Sequence, residues 1–336
     1  MLGKRRKRNV SSQIVHFERH APASKIFNPH SDFFGTRRTS PPPQPKHFTR
    51  PIRVGRTLIG GGESITFIGG PNYVESPEQM LTSARLLSEI GIHFIRARAF
   101  RQDAWGNEFQ GLGLAGLKIL RAAADKYGLY VISEVIEPGD VKALVKYCDI
   151  VEVGPRNAHN HELLHELARH STTVILHRGS LMTIGDMMSA LRVLENGKRC
   201  RIILAENGIR AFDPRLKNLL DLSSLVDLRQ HTAYPVFLDC SAAASQAKYV
   251  ESLALAAVAV GVDGLLVEVH PLPEEAYVES KRALAPQAFA HLMKQINAVK
   301  STLNAIRNSN NEDVRGELSD EVKASLPSRS KLANYS

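Results

Sequence analysis

A chain of 336 residues with 43% hydrophobic content has enough apolar material for one large domain or two ordinary ones. No apolar run is long enough to span a bilayer, and the basic start lacks the apolar stretch of a signal peptide. The net charge of +9 belongs to residues 1–50, where 11 Lys/Arg face only Glu18 and Asp32, leaving 32 charges of each sign in the neutral remainder.

Residues 1–50 hold six prolines and little periodicity, which predicts an extended or disordered arm. Its run Lys4–Arg8 suits a solvated arm, or contact with RNA or an acidic partner. Arg53–Leu58 with Gly60-Gly61-Gly62 predicts a short hairpin. From Ser64 an apolar strand and an amphipathic helix alternate eight times. The strands are predicted at Ile65–Gly69, His93–Ala97, Tyr130–Glu134, Ile150–Val153, Thr173–His177, Arg201–Glu206, Val236–Asp239 and Gly264–Val269. The helices centre on Pro77–Ile90, Leu114–Tyr127, Pro138–Tyr147, His161–Arg169, Ile184–Glu195, Leu222–His231, Ala247–Val260 and Pro286–Val299. Short β-branched runs separated by helices imply parallel strands, and eight such units close as a (β/α)8 TIM barrel over residues 51–300. A doubly wound open sheet is the alternative. Residues 301–336 form a polar tail expected to fray. Cys148, Cys200 and Cys240 lack CxxC spacing, which predicts neither a zinc site nor a disulfide framework and fits a reducing cytoplasm.

In such a barrel, active sites are built from the loops that follow the strands. The stretch Gly91–Gly111 places Arg96 at a strand end, then Arg98, Arg101, Asp103, Trp105 and Glu108 in the loop. Arg96 and Arg101 are spaced to hold one anion between them. Asn72, Glu134, Arg156, His177 with Arg178, Glu206 with Arg210, Asp239, and Glu268 with His270 recur at the other strand ends. Gathering Arg96, Arg101, Arg156, Arg178 and Arg210 at one rim predicts a phosphate or carboxylate ligand. Each arginine taken alone also fits a structural ion pair with Glu134, Glu152, Glu206 or Asp213.

Those residues lie in motifs that resemble the class I 3-deoxy-D-arabino-heptulosonate 7-phosphate (DAHP) synthases. GGPNYVESPEQ, GIHFIRARAF, FQGLGLAGLKIL, YGLYVISEVIEPGDV, DIVEVGPRNAHNHELL, ILHRGSLMTIGDMMSA, AENGIRAFDP and GVDGLLVEVHPLPEEA follow in the family's order over about residues 51–297. The resemblance implies a (β/α)8 barrel, usually oligomeric, that condenses phosphoenolpyruvate with a phosphorylated aldose. The sister 3-deoxy-manno-octulosonate 8-phosphate synthases share this scaffold. By the same resemblance Arg96, Arg156 and Arg210 match the phosphoenolpyruvate pocket, with Arg178 beside it, and Arg101 replaces a lysine. His177 stands where the family has the lysine of LKRG, so a fixed charge becomes one expected to titrate near neutrality.

Other positions depart from the pattern. The family binds a divalent ion with Cys, His, Glu and Asp, and here those places hold Asn72, Ala242, Glu268 and Glu279. Two carboxylates without soft or imidazole ligands make a poor transition-metal site, so no cofactor is expected. Cys240 is a conceivable substitute ligand, although its place on a strand argues for core packing. Asp103 stands where the KPRTSP arginine would meet the acceptor's phosphate, and a carboxylate there repels a phosphate dianion. Two functions follow. One is a metal-free aldolase joining phosphoenolpyruvate, or a related enolate donor, to an unusual acceptor. In it Arg96, Arg101, Arg156 and Arg210 hold the donor, His177 acts as acid or base, and Asn72 and Glu268 position the water or acceptor carbonyl. The other is an inactive barrel that binds or regulates. A homo-oligomer, dimer or tetramer, is expected in either case.

Overall fold

Eight parallel strands, neighbours in chain order, close into a barrel, the last pairing with the first. The computed structural model describes residues 49–101, 108–213 and 215–317, with side chains through residue 309. The basic arm falls outside them. A hairpin of β1 (Ile52–Val54) and β2 (Thr57–Ile59) precedes the barrel. The strand–helix units then run β3 (Thr66–Gly70), α1 (Pro77–Glu89), β4 (Phe94–Arg96), α2 (Gly113–Tyr127), β5 (Tyr130–Glu134), α3 (Val141–Tyr147), β6 (Ile150–Val153) and α4 (His161–Ala168). They continue through β7 (Thr173–His177), α5 (Ile184–Asn196), β8 (Arg201–Glu206), a small hairpin of β9 (Ile209–Arg210) and β10 (Asn218–Leu219), and α6 (Leu222–His231). The last are β11 (Val236–Asp239), the short α7 (Cys240–Ala244), α8 (Ala247–Val260), β12 (Gly264–Glu268) and α9 (Pro286–Glu317).

Local chemistry explains the element ends. Ser76 caps α1 by accepting from the Gln79 N–H at 3.1 Å, with Pro77 supplying the preset first turn. Thr183 and Asp186 cap α5 reciprocally. Helix α2 buries Leu117, Leu120, Ala123 and Ala124, a stripe at helical spacing turned toward the sheet. One boundary differs from expectation. The last helix does not stop near Val299 but runs to Glu317, because Leu303 continues the apolar face that packs on the core.

Strand alternation decides what fills the barrel. Ile68, Phe94, Ile132, Ile150, Ile175, Ile203, Phe237 and Leu266, one from each strand, form a single buried cluster with Ile52, Val54 and Ile59 of the hairpin. Successive strand residues face opposite ways, so the residue two further on shares this inward face. That next layer, toward the C-terminal ends, is Gly70, Arg96, Glu134, Glu152, His177, Ala205, Asp239 and Glu268. An apolar floor closed by the hairpin thus carries a layer of charge. Gly70 is required where it stands, since a Cβ there would collide with the Arg96 carbonyl, and its φ is +145°.

Candidate active site

The charged layer is held by its own pairs. Arg96 donates from Nε to Glu152 Oε2 at 2.7 Å and from Nη2 to Oε1 at 2.5 Å, and its Nη1 lies 3.3 Å from Asp239 Oδ2. Both side chains of the Arg96–Glu152 pair are buried. Burial pushes the Glu152 carboxyl up, but Arg96 and His177 outweigh it and hold it well below the usual carboxylate range.

His177 is locked from both sides. Its Nε2 lies 2.7 Å from Glu152 Oε1 and its Nδ1 lies 2.7 Å from Asn207 Oδ1. The Asn207 amide is oriented by its Nδ2, which donates to the Arg178 carbonyl at 3.2 Å, so only its oxygen can face the ring. Both ring nitrogens therefore lie 2.7 Å from acceptor oxygens, an arrangement that favours the doubly protonated ring. Burial favours the neutral ring, yet the Glu152 charge and hydrogen bond prevail and raise the His177 pKa above its ordinary value. The surroundings thus favour the imidazolium over the neutral ring. The carboxylate responsible comes from the neighbouring strand.

Two further clusters flank this centre. Arg98 lies 2.5 Å from Glu134 Oε2 and donates to Asn72 Oδ1 at 2.6 Å. Gly154 leaves room for that carboxylate, because a Cβ there would strike it. Arg178 lies 2.6 Å from Glu206 Oε2 and 3.0 Å from Asp221 Oδ2, and Glu206 Oε1 accepts from the Gly208 N–H at 2.7 Å. On the opposite side Arg282 contacts Glu279 and lies 3.7 Å from Glu268, while Lys217 reaches Glu279 at 3.1 Å.

The predicted anion pair of Arg96 and Arg101 is divided. Arg96 faces the barrel axis with Glu152, whereas Arg101 bonds Glu108 and the Phe109 carbonyl, each at 2.6 Å. Arg156 and Arg210 are exposed, on the loop after β6 and on β9. Asp103 and Trp105 lie outside the described residues. Asp213, expected to pair with a rim arginine, instead binds Arg215 two residues away. The sequence marks Glu152 only as one possible ion-pair partner and gives no sign of Asn207 or Arg282. Stepping two residues from Ile150 would have found Glu152. No sequence signal marked Asn207 or Arg282, whose roles depend on loops folding back.

Glu152, His177 and Asp239 bring ligand-type atoms within 4.8 Å of one another. They make a poor metal site, because Arg96 already lies against both carboxylates. The positions Asn72, Ala242, Glu268 and Glu279 do not suit a divalent ion either. Asn72 Oδ1 is taken by Arg98, Ala242 offers no side-chain donor, and Glu279 is held by Arg282 and Lys217. Cys240 is fully buried in the main core cluster, and burial pushes its thiol well up. It packs the core.

The profile of the DAHP synthetase I family matches residues 44–305. The chain belongs to that family. It is similar to the phospho-2-dehydro-3-deoxyheptonate aldolase of Thermotoga maritima, with 36% identity over 252 residues covering 75% of this chain and 74% of the relative. A 2-dehydro-3-deoxyphosphooctonate aldolase of Geobacter sulfurreducens is 29% identical over 270 residues, covering 75% of this chain and 98% of the relative. The solved structure of the Thermotoga maritima DAHP synthase superposes with a TM-score of 0.73 at 36% identity, covering 76% of this chain and 74% of that one. A truncated form of the same organism's enzyme gives 0.70 at 34% identity, with 76% and 93% covered. The barrel is thus a DAHP synthase-like enzyme of aldolase type. Among the described residues no helix is long and apolar enough to cross a membrane.

Proposed function

We propose that the barrel condenses phosphoenolpyruvate, or a related enolate donor, with an aldehyde acceptor. The new bond joins the enol carbon to the aldehyde carbon, one water is consumed, and phosphate leaves. The observation that carries this reading is the set of cations at the C-terminal ends of the strands. Arg96, Arg98, His177 and Arg178 lie within the mouth, and Arg101, Arg156 and Arg210 stand on its loops. Each of the four inner cations already has a carboxylate partner. Arg156 and Arg210 are exposed at the rim, where a donor arriving from solvent reaches them first, while the inner layer lines the floor beneath it. His177 acts as a fixed cation that orients Glu152 and Arg96. Asn72 and Glu268 position the water or the acceptor carbonyl. Asp103 favours an acceptor without a phosphate.

Isothermal titration with phosphoenolpyruvate tests the reading. Binding is expected, weakened in Arg156→Ala and Arg210→Ala by about 1.5–3 kcal/mol, the scale of a hydrogen bond to a charged group. Absence of binding at millimolar ligand would remove the basis for a phosphoenolpyruvate enzyme. Phosphate release is then followed with erythrose 4-phosphate, unphosphorylated aldehydes and amino sugars, where turnover is expected among the unphosphorylated compounds. Binding without release from any acceptor would favour an inactive, binding barrel. The exposed Leu181, Phe212 and Tyr277 on loops at this end support assembly as a dimer or tetramer. The three free cysteines support a cytoplasmic setting.

A further inference from the structure

Of the four positions that would ring a divalent ion, Asn72 and Glu279 are met by N–H groups, Ala242 has no side-chain ligand atom, and Glu268 faces a guanidinium. Asn72 Oδ1 receives Arg98 Nη1 at 2.6 Å, and Asn72 Nδ2 donates to Glu279 Oε2 at 3.4 Å. Glu279 Oε1 takes Lys217 Nζ at 3.1 Å, and the Ala242 carbonyl takes Asn218 Nδ2 at 3.0 Å. Between Glu268 and Glu279 lies the guanidinium of Arg282, from the short turn Ser280–Arg282, its side chain 11% exposed. One acceptor atom is left over. Glu268 Oε2 is buried without a hydrogen-bond partner, on a residue 3% exposed. A buried carboxylate oxygen with nothing to accept from is costly unless a ligand hydroxyl or water meets it.

We propose that Arg282 is the resident cation of this end of the site, taking the place of a divalent ion and leaving Glu268 Oε2 as the seat for a hydroxyl or water. A guanidinium is planar and permanently charged, so it can lie against two carboxylates at once without a coordination sphere. It also excludes a metal by like-charge repulsion in a partly buried place. Arg282 is a positioning residue: it neutralises Glu268 and Glu279 and holds their carboxylates apart. The charge replacement does not depend on which donor binds. Only its link to turnover rests on the proposed condensation.

Manganese titration calorimetry on the full chain separates the possibilities, with phosphoenolpyruvate titration run alongside as a control for the folded donor site. The native chain and Arg282→Lys should take up no manganese at sub-millimolar concentration. Arg282→Gln should gain a site about tenfold to a hundredfold tighter, the range by which neighbouring groups tune metal affinity. The gain should disappear when Glu268→Gln is added. Ala242→His keeps Arg282 in place, restores an imidazole, and should still bind no ion. The double change A242H with R282Q should bind manganese more tightly than R282Q alone. Tight manganese binding by the native chain or by A242H would overturn the proposal, because Arg282 would then exclude nothing. So would R282Q binding no more tightly than the native chain while its phosphoenolpyruvate titration is unchanged. If phosphoenolpyruvate fails to bind any of these chains while the manganese pattern holds, the condensation falls and the charge replacement stands.

Discussion

Glu152 accepts from Arg96 twice and lies 2.7 Å from His177 Nε2, all within the barrel, so changing it alters two partners together. Glu152→Gln should cost about 3–5 kcal/mol in denaturant unfolding, the scale of breaking one partner from a buried ion pair. The pH dependence follows from the two shifts. Glu152 has a depressed pKa, so its contribution is present above the ordinary 4.5 and is lost as pH falls through the lowered value. His177 has a raised pKa, so its contribution is complete below the ordinary 6.5 and is lost as pH rises through the raised value. This pair therefore stabilises most between those two ordinary values, and Glu152→Gln should flatten both limbs of a stability–pH curve. Nitrogen-15 shifts showing a neutral His177 ring at pH 6 would contradict the double donation. At this scale the sequence showed which residues were charged and that they stood at strand ends. It did not show pairing, because whether Arg96 meets Arg101 or Glu152 depends on which face of β4 points inward.

The hairpin of β1 and β2 is a small element with a large packing role. Ile59 is fully buried among side chains from the barrel strands. Ile59→Ala should cost about 2–5 kcal/mol by urea unfolding, as for other large-to-small changes in a core. It should leave phosphoenolpyruvate affinity unchanged, because the hairpin lies at the opposite end from the charged layer. A loss of affinity matching the loss of stability would show that the two ends are coupled. Elements were the most legible level. Five of the eight barrel strands begin and end where their β-branched runs do, among them Tyr130–Glu134 and Thr173–His177. The short β9–β10 hairpin and α7 were missed, since two- and five-residue elements carry no period to detect. Helix α9 extends past its expected end because its polar far half hides the spacing from Val299 to Leu303.

For the molecule as a whole, the described fold begins with two ties to the barrel. Thr49 Oγ1 donates to Asp263 Oδ1 at 2.9 Å and the Arg50 N–H donates to the Ala233 carbonyl at 2.7 Å. A chain starting at Phe48 should therefore fold, bind phosphoenolpyruvate and lose nearly all of its net charge. Insolubility or a changed assembly state by sedimentation would assign the removed residues a structural part. Fold class and family were readable because strand periodicity and ordered motifs extend over the whole body. The acceptor was not, since Asp103 stands where the family's clamp arginine would be and a departure from a motif says what is not bound rather than what is. The layering along the barrel axis has one more consequence. A sheet of hydrocarbon beneath a plane of ions cannot relax around them as water would. Their field is therefore turned toward the open end, like light from a lamp with a mirrored back. A small anion approaching the mouth meets that buried layer, while one approaching the hairpin meets only the exposed Arg53 and Arg56 of the hairpin itself. The buried ions are thus sensed from one end, although residues 51–336 carry equal numbers of each sign.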